Sequence, residues 1–252
     1  MNNLVSIIMP SFNTGIFIKE TINSVLKQTY TNWEIIIVDD CSTDNTDEVV
    51  ASFKDERIKY IKNEKNSGAA VSRNRALREA KGKWIAFLDS DDIWLPEKLE
   101  KQIAFMENNG YDFSYTSYCQ IDEQSIESGV TVTGPKKITK TGMYNYCYPG
   151  CLTVMYNAEK VGLIQIEDIK KNNDYAMWLK VCKKADCYLL EETLAKYRKR
   201  SGSISNHSYT KLIKWHYILF RDGMGLSAPA SAFFTAENLF FGVIKKIIYR
   251  KK

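Results

Sequence analysis

Two aspartates that follow an apolar run are the residues best suited to bind a divalent cation. Asp89-Ser90-Asp91 comes directly after Trp84–Leu88, a short run typical of a buried strand. Residues i and i+2 of an extended segment point to the same side, so both carboxylates can face one ion. Hard oxygen ligands without a nearby His or Cys favour Mg²⁺ or Mn²⁺, with positions left open for diphosphate oxygens. The alternative is a loop in which one Asp caps the next helix and the others are solvated.

A second acidic pair, Asp39-Asp40, follows the apolar run Trp33–Val38. Acidic pairs in such loops often cap the next helix. The Ser, Thr and Asp at 42–44 already suffice for that cap, which frees the pair for another role. A carboxylate at this position can accept a strong charge-assisted hydrogen bond from the N–H of a nucleobase.

Three further segments carry polar groups that could act on a phosphate or a hydroxyl. Arg73 lies in the small-residue segment 66–75, where it suits a phosphate or a bridge between carboxylates, or stands as an exposed helix arginine. Asp174 precedes an amphipathic helix, where a cap is the simplest role. The basic segment 197–205 is either a solvated loop or a cover for the phosphates of a bound donor.

These residues are positioned by alternating strands and helices. Apolar runs too short for a helix predict strands at Leu4–Met9, Trp33–Val38, Ile58–Ile61 and Trp84–Leu88. Helical periodicity predicts helices at Phe17–Gln28, Asp44–Phe53, Ala69–Ala80 and Leu95–Asn108, with Pro96 in the first turn of the last. This alternation predicts an α/β fold, with a Rossmann-like, mainly parallel sheet and helices on both faces. Ligands bind such a sheet at the carboxyl ends of its strands, where the aspartates lie.

Composition excludes several classes of protein. The 252 residues are 44% hydrophobic and 12% aromatic, too much for a disordered chain and enough for one large α/β domain with an appendage. Six Cys without a C-x-x-C pair and only two His argue against a zinc site or a disulfide framework. The start lacks a basic n-region, and no apolar run approaches the ~20 residues of a membrane span. We therefore expect a cytoplasmic protein, soluble or associated with a surface.

Basic charge concentrates at the end of the chain. From Asn206 onward, eight basic residues stand against two acidic ones, whereas nucleic-acid-binding proteins spread basic residues over a reading face. We therefore expect no nucleic-acid partner. A helical projection from Phe233 to Tyr249 places one apolar arc on this tail, formed by Phe233, Phe240, Phe241, Val243, Ile244, Ile247 and Ile248. The arc either docks on the protein's own core or on a second copy, as a homodimer, or lies on an anionic membrane through 233–252.

The motifs taken in order resemble a known family. They are P-S-F-N after the first strand, V-D-D-x-S-x-D after the second, N-S-G-x-x-x-S-R-N after the third, D-S-D-D after the fourth, and then N-D-Y-x-x-W-L. This set, running from Val5 to about Ser205, resembles the family 2 inverting glycosyltransferases. No single motif is specific, but the ordered set is.

The resemblance implies a type A glycosyltransferase fold and a nucleotide-diphosphate sugar donor, most often UDP-linked. By matching position, Asp174 would be the general base, and Asp89 and Asp91 would hold the metal. Asp40 would bind the base N–H, with Asp39 supporting it. The other residues expected around the donor are Pro10, Ser11, Asn13, Arg73 and Ser90. The acceptor implied is a glycan, often lipid-linked, in cell-surface polysaccharide or lipopolysaccharide assembly at the inner face of the cell membrane.

Two departures from the family pattern affect the site. The residue before the base is commonly Glu, and here it is Asn173. Where many members have Y-R-x-H, this chain has Tyr197-Arg198-Lys199-Arg200, so a metal-ligating His is missing; Arg198 and Arg200 are candidate diphosphate contacts. The Q-x-x-R-W motif of polymerising members is absent as well, which favours addition of a single sugar.

The domain division follows from the extent of the resemblance. We expect a catalytic domain at 1–205, with a nucleotide-binding half at 1–110 and an acceptor-binding half at 111–205, and a helical basic extension at 206–252. Two other classes stay open. A sugar nucleotidyltransferase would need a G-x-G-T-R-type loop after the first strand, which is missing, and a non-catalytic sugar-nucleotide-binding relative would lack Asp174.

Overall fold

The apolar runs at the start of the chain form four parallel strands. The computed structural model describes residues 3–200 and 209–251. Its first strands pair side by side in the order β3-β2-β1-β4. They are β1 (Val5–Ser11), β2 (Trp33–Asp39), β3 (Ile58–Lys62) and β4 (Trp84–Phe87). Their carboxyl ends therefore lie at one edge, as predicted.

Helices cover both faces of this sheet because successive strand residues point to opposite sides. The helices of this half are α1 (Gly15–Leu26), α2 (Thr46–Ala51), α3 (Ala69–Glu79) and α4 (Lys98–Asn109). Ile7 and Ile35 pack into the cluster that holds apolar residues of α1 and α4. Ile8 and Ile36 pack into the opposite cluster, with apolar residues of α3.

The start of α4 differs from the prediction. A short strand β5 (Ile93–Trp94) precedes this helix, and the Leu95 amide donates to the carbonyl of Leu194 at 3.0 Å. This pairing keeps the backbone extended, so the helix begins at Lys98 and Pro96 lies before it rather than in its first turn.

The second half of the chain extends the sheet with mostly antiparallel pairs. Its strands are β6 (Phe113–Ile121), β7 (Glu127–Val132), β8 (Lys137–Ile138), β9 (Met155–Asn157) and β10 (Cys187–Arg198). Its helices are α5 (Lys140–Asn145), α6 (Ala158–Val161) and α7 (Asn173–Val181). β9 lies antiparallel between β4 and β6, whereas β10 runs parallel to β6. The α/β class is confirmed, and the parallel order belongs to the first half.

The tail folds onto the second half of the molecule. It consists of α8 (Tyr209–Ile218), a π-helical turn (Leu219–Gly223), α9 (Ala228–Ile248) and a short strand β11 (Arg250–Lys251) that pairs with β7. Among the described residues, no helix has the length and hydrophobicity needed to cross a membrane.

α9 docks through a mixed side on which Phe234 packs against Tyr144 and Phe220. Its buried residues are Ser231, Thr235 and Asn238. Much of the predicted apolar arc is exposed: Phe240 is 64% exposed and Ile247 is 74% exposed. The helix therefore packs on the protein's own core, but not through the arc that the sequence singles out.

Candidate active site

The loops that follow β1 and β4 are tied together by hydroxyl groups. Ser11 and Thr14 share a hydrogen bond of 2.9 Å, and the Thr14 hydroxyl donates to Ser90 at 3.0 Å. All three side chains are buried. Ser11 and Ser90 thus lie side by side at the strand edge, as expected, and Thr14, which no motif singles out, connects them.

Asn13 binds the neighbouring loop. Its backbone adopts a positive φ of 51°, which Asn tolerates better than most residues. Its side-chain oxygen accepts a hydrogen bond from the backbone N–H of Thr43 at 2.9 Å. Its backbone N–H donates to the Ser42 hydroxyl at 2.8 Å. Pro10 lies inside β1, paired with Val38 of β2. The loops after β1 and β2 therefore form one wall.

The two carboxylates after β2 are both buried and hydrogen-bonded within the chain. Asp39 accepts from the amide of Ser42 at 2.9 Å and from its hydroxyl. Asp40 accepts from the Asn63 side chain at 2.8 Å, and from the amides of Ser67 and Gly68 at 2.9 Å and 2.7 Å. A carboxylate has about four acceptor directions, so Asp40 keeps one for a ligand. Its contact with a nucleobase stays a prediction.

The acidic segment after β4 brings like charges close together. Burial raises the pKa of the Asp91 carboxyl, and the charge of Asp89 raises it further, while Arg200 opposes both. Asp89 is ion-paired with Arg73 at 2.5 Å and Asp91 with Arg200 at 2.8 Å. The arginines thus offset a repulsion that a bound cation would also relieve.

The donor set fits a hard divalent cation held in part by other ligands. The described residues contain no group of three or more His, Cys, Asp or Glu arranged to hold a metal. If an ion is bound here, Asp89 and Asp91 would hold it, and its remaining positions would fall to water or to diphosphate oxygens.

Arg198 occupies a different place from the one expected. Its side chain is fully buried, and it donates to the backbone oxygen of Asp91 at 2.7 Å, to Glu20 at 2.6 Å and to Ser125 at 2.9 Å. These internal partners hold its guanidinium and connect it to the Asp91 backbone. The contact of Arg198 with a diphosphate stays a prediction. Arg200 is 29% exposed and is the better placed of the two. The predicted phosphate cover at 201–205 lies outside the described residues.

Arg73 connects the acidic segment to α7. One side of its guanidinium pairs with Asp89, and the other donates to the side-chain oxygen of Asn173. Burial opposes its positive charge, but Asp89 and Asp174 raise the pKa of Arg73. Asn173 therefore keeps a hydrogen bond where many family members have a charged Glu.

Asp174 lies in the first turn of α7 and is not its cap. Asn172, with a φ of 57°, occupies the capping position, and the helix begins at Asn173. Asp174 is half-buried, and its carboxylate accepts from the adjacent Tyr175 amide at 2.8 Å. Besides Arg73, it interacts electrostatically with Lys245 of α9. Its role as a general base stays a prediction.

The family comparison accounts for this arrangement of loops. The model for "Glycosyl transferase family 2" matches residues 6–149, which hold β1 to β4 and all the loops at their carboxyl ends. The chain belongs to glycosyl transferase family 2. It is a glycosyltransferase with the type A fold that the motif set predicts. Membership in family 2 also decides against a sugar nucleotidyltransferase.

Relatives and solved structures agree with family 2. The chain is 41% identical over 222 residues to the putative teichuronic acid biosynthesis glycosyltransferase TuaG of Bacillus subtilis, covering 87% of this chain and 88% of that protein. It is 43% identical over 211 residues to WfgD of Escherichia coli, named UDP-Glc:alpha-D-GlcNAc-diphosphoundecaprenol beta-1,3-glucosyltransferase, covering 83% and 82%. S. aureus TarS 1–349 with UDP-GlcNAc superimposes with a TM-score of 0.70 at 23% identity, covering 93% of this chain and 71% of that chain.

Two features of the site lie outside the sequence motifs. Asn63 follows β3 and donates to Asp40, so the rule that ligand-edge residues follow strands points to it. Lys245 comes from the tail, more than 70 residues after Asp174, and no sequence signal brings the two together.

Proposed function

We propose that the chain transfers one sugar from a UDP-linked donor to a hydroxyl of a lipid-linked glycan, with inversion at the anomeric carbon. The observation that carries the proposal is the bridge through Arg73, which joins Asp89 at the strand edge to the turn that bears Asp174. This bridge supports a donor diphosphate near Asp89 and a proton acceptor across from it.

The chemistry is a single displacement. Asp174 accepts the proton of the acceptor hydroxyl while the oxygen attacks the anomeric carbon, and the bond to the diphosphate breaks on the opposite face. A positioned general base typically contributes about 10²–10⁴-fold in rate. Arg73 keeps the two sides of the site in register, because its hydrogen bonds hold both.

Asp89 and Asp91 are proposed to hold Mg²⁺ or Mn²⁺. Such an ion neutralises charge on the leaving diphosphate when it is bound. The partial exposure of the Arg200 side chain, 29%, supports its withdrawal from Asp91 in favour of the ion and its reuse as a diphosphate contact. Pro10, Ser11, Asn13, Asp39, Asp40 and Ser90 are proposed to shape the nucleotide pocket.

The donor and acceptor classes are supported by the name of WfgD, a glucosyltransferase from UDP-Glc to alpha-D-GlcNAc-diphosphoundecaprenol. TuaG is named for teichuronic acid biosynthesis, which supports a role in cell-surface polysaccharide assembly. We propose the same classes for this chain: a UDP-hexose and a diphospholipid-linked sugar.

Such an acceptor lies at a bilayer, and the exposed arc of α9 suits that surface. Phe233, Phe240, Val243, Ile247 and Ile248 are each more than half exposed. Lys246, beside the arc, is exposed too, and a basic residue near an anionic leaflet adds about 1 kcal/mol of attraction. We propose that 233–252 rests on the inner face of the cell membrane; a second copy covering the arc is the competing outcome.

The assignment of Asp174 is tested by Asp174→Asn in the full chain. The variant keeps the shape of the side chain but accepts no proton, so transfer from UDP-glucose to a GlcNAc-diphospholipid should fall by about 10²-fold or more. UDP binding, measured by calorimetry, should stay within twofold. Wild-type transfer by this variant would assign the base elsewhere. Asp168→Asn, a carboxylate just ahead of α7, is the matched control and should transfer normally.

A further inference from the structure

The buried side of α9 holds the helix that carries Asp174. The Asn238 amide donates to the Tyr175 hydroxyl and to the backbone oxygen of Tyr144, both at 2.9 Å. The Tyr175 hydroxyl in turn donates to the Met143 backbone oxygen at 2.7 Å. Asn238 and Tyr175 are 1% and 3% exposed. Since Tyr175 adjoins Asp174 in the first turn of α7, α9 fixes that turn.

A second contact lies two turns further along α9. Lys245 donates to the backbone oxygens of Tyr148 at 2.9 Å and Cys147 at 3.3 Å. Burial lowers the pKa of Lys245, and the charge of Asp174 opposes this shift. Gly242 permits the close packing, because a Cβ there would approach the Tyr146 ring to 3.1 Å. The ammonium is thereby held on the 147–148 segment, where it interacts electrostatically with Asp174.

Apolar packing explains only part of this docking. Phe234 packs against the rings of Tyr144 and Phe220, but the buried residues of α9 are polar, and Phe240 and Ile247 stay exposed. The side-chain oxygen of Asn238 is buried and has no hydrogen-bond partner among the described residues. Such an atom costs stability. The retained cost points to a role in placing the Tyr175 turn.

We propose that Asn238 and Lys245 are positioning residues for sugar transfer. Asn238 fixes the orientation of the turn that bears Asp174, and Lys245 holds the 147–148 segment while presenting its charge to that carboxylate. The inference rests on the proposed role of Asp174 as the base. The tail is then part of the active site as well as a surface for the membrane.

Asn238→Leu tests the first contact, because Leu has a similar volume and no donor. The kcat of transfer should fall about tenfold, while the KM for UDP-glucose and the affinity for UDP stay within twofold. Tyr175→Phe should lower kcat similarly, and the double variant should be no worse than the more impaired single variant.

Thr235→Val is the matched control: Thr235 is buried on the same side of α9, but its hydroxyl donates only within the helix, to Ser231 at 2.7 Å. An unchanged kcat in Asn238→Leu, or an equal loss in Thr235→Val, would overturn this contact.

Lys245→Met tests the second contact by the pH profile of kcat. Among the described residues, the groups that interact with the Asp174 carboxylate include Arg73 from α3, Cys147 and Cys151 from the segment before β9, and Lys245 from α9. Removing the positive charge of Lys245 should move the acid limb of the profile to higher pH. Lys245→Arg should restore the wild-type limb, and Lys183→Met, at an exposed residue just after α7, should leave it unchanged. A wild-type limb in Lys245→Met would contradict the role of Lys245.

Different results would contradict the role of Asp174 as the base and the positioning role of Asn238 and Lys245. If Asp174→Asn transfers sugar normally, the proposed base is wrong, whatever the α9 variants do. If Asp174→Asn loses transfer while Asn238→Leu and Lys245→Met keep the wild-type kcat and pH profile, only the inference about α9 is wrong. If Asn238→Leu fails to fold, the Lys245 pH profile decides the proposal by itself.

Discussion

Each carboxylate of the Asp89/Asp91 pair has an arginine partner, but the two arginines differ in how exposed and how firmly held they are. Arg73 is 8% exposed and bound on both sides, whereas Arg200 is 29% exposed. A divalent cation bound here would therefore displace Arg200 more readily than Arg73. At the residue scale, this makes Asp91 the carboxylate whose loss should affect the metal most.

Asp91→Asn should raise the Mn²⁺ concentration needed for half-maximal transfer by tenfold or more, because one of two anionic ligands is lost. Initial rates measured against added Mn²⁺ after EDTA dialysis give this value. Asp55→Asn, which removes a surface carboxylate paired with Arg57, should match the wild type. Full activity after EDTA dialysis would exclude a metal requirement.

Lys98 is a buried lysine to which we assign no role in the site. Its ammonium is fully buried beside the Trp94 ring, donates to Gln102 at 2.7 Å, and has a pKa lowered by burial to about 7. The unfolded chain therefore binds more protons than the folded one between about pH 7 and 10.5, so this group makes stability rise with pH across that range. Below pH 7, Lys98 is charged in both states, and the full free-energy cost of burying this charge lowers the stability of the fold.

Lys98→Met should therefore stabilise the fold at pH 6–7, by on the order of a few kcal/mol at about 1.4 kcal/mol per pKa unit. The gain should shrink as the pH rises toward 10. Urea unfolding at several pH values measures it. Lys101 is ion-paired with Glu192 at the surface. Lys101→Met should therefore give no such pH-dependent gain in stability. A gain independent of pH would mean that folding does not lower the pKa of Lys98.

At the element scale, Gly68 shapes the loop between β3 and α3. Its φ of 90° is a backbone conformation reserved for glycine, and its amide donates to Asp40. A Cβ there would meet nothing within 4 Å, so Gly68→Ala acts through the backbone alone. We expect a loss of about 1–3 kcal/mol in stability and weaker UDP binding.

Gly110→Ala is the control for this loop. Gly110 ends α4 with a φ of 67° and also has open space around its Cβ position, but it lies away from Asp40. Denaturant unfolding should show a comparable destabilisation, and calorimetry should show unchanged UDP affinity. Equal losses of affinity in both variants would mean that the loop at Gly68 does not shape the nucleotide pocket.

The strands and the tail show what sequence patterns can and cannot predict. The four apolar runs predict β1 to β4 closely, because a strand covered on both faces must be apolar along its length. The pattern also finds α9, but not the side by which it docks. That side depends on carbonyl and hydroxyl partners such as Tyr144 and Tyr175, which lie far away in sequence and leave no periodic signal. Asn63 differs, because its place directly after β3 is a signal that the motifs overlooked.

At the scale of the whole molecule, the exposed arc of α9 should control membrane association. Replacing Phe240 and Ile247 together by Ser removes two large apolar side chains that are 64% and 74% exposed, so it should not disturb the core. Co-sedimentation with anionic liposomes should fall at least fivefold, and UDP binding should not change. Ile16→Ser, at a site 80% exposed on α1, is the control.

Two outcomes of that experiment would contradict membrane association through the arc. Unchanged co-sedimentation would place the membrane contact elsewhere. Loss of a dimer in analytical ultracentrifugation, with liposome binding unaffected, would show that a second copy covers the arc. Substitution tests the arc by itself. A truncation after Ala228 would remove all of α9 and would also expose Tyr144 and Tyr175.

The central claim is that sugar is transferred in one inverting displacement at the Asp89–Asp174 site. The most direct measurement is the anomeric configuration of the product, read by NMR, after the full chain acts on UDP-α-D-glucose and a GlcNAc-diphospholipid with Mn²⁺. We expect a β-linked glucose, because a single attack from the face opposite the diphosphate inverts the anomeric carbon. An α-linked product would contradict it, since retention requires a different mechanism from direct attack by a hydroxyl that Asp174 activates.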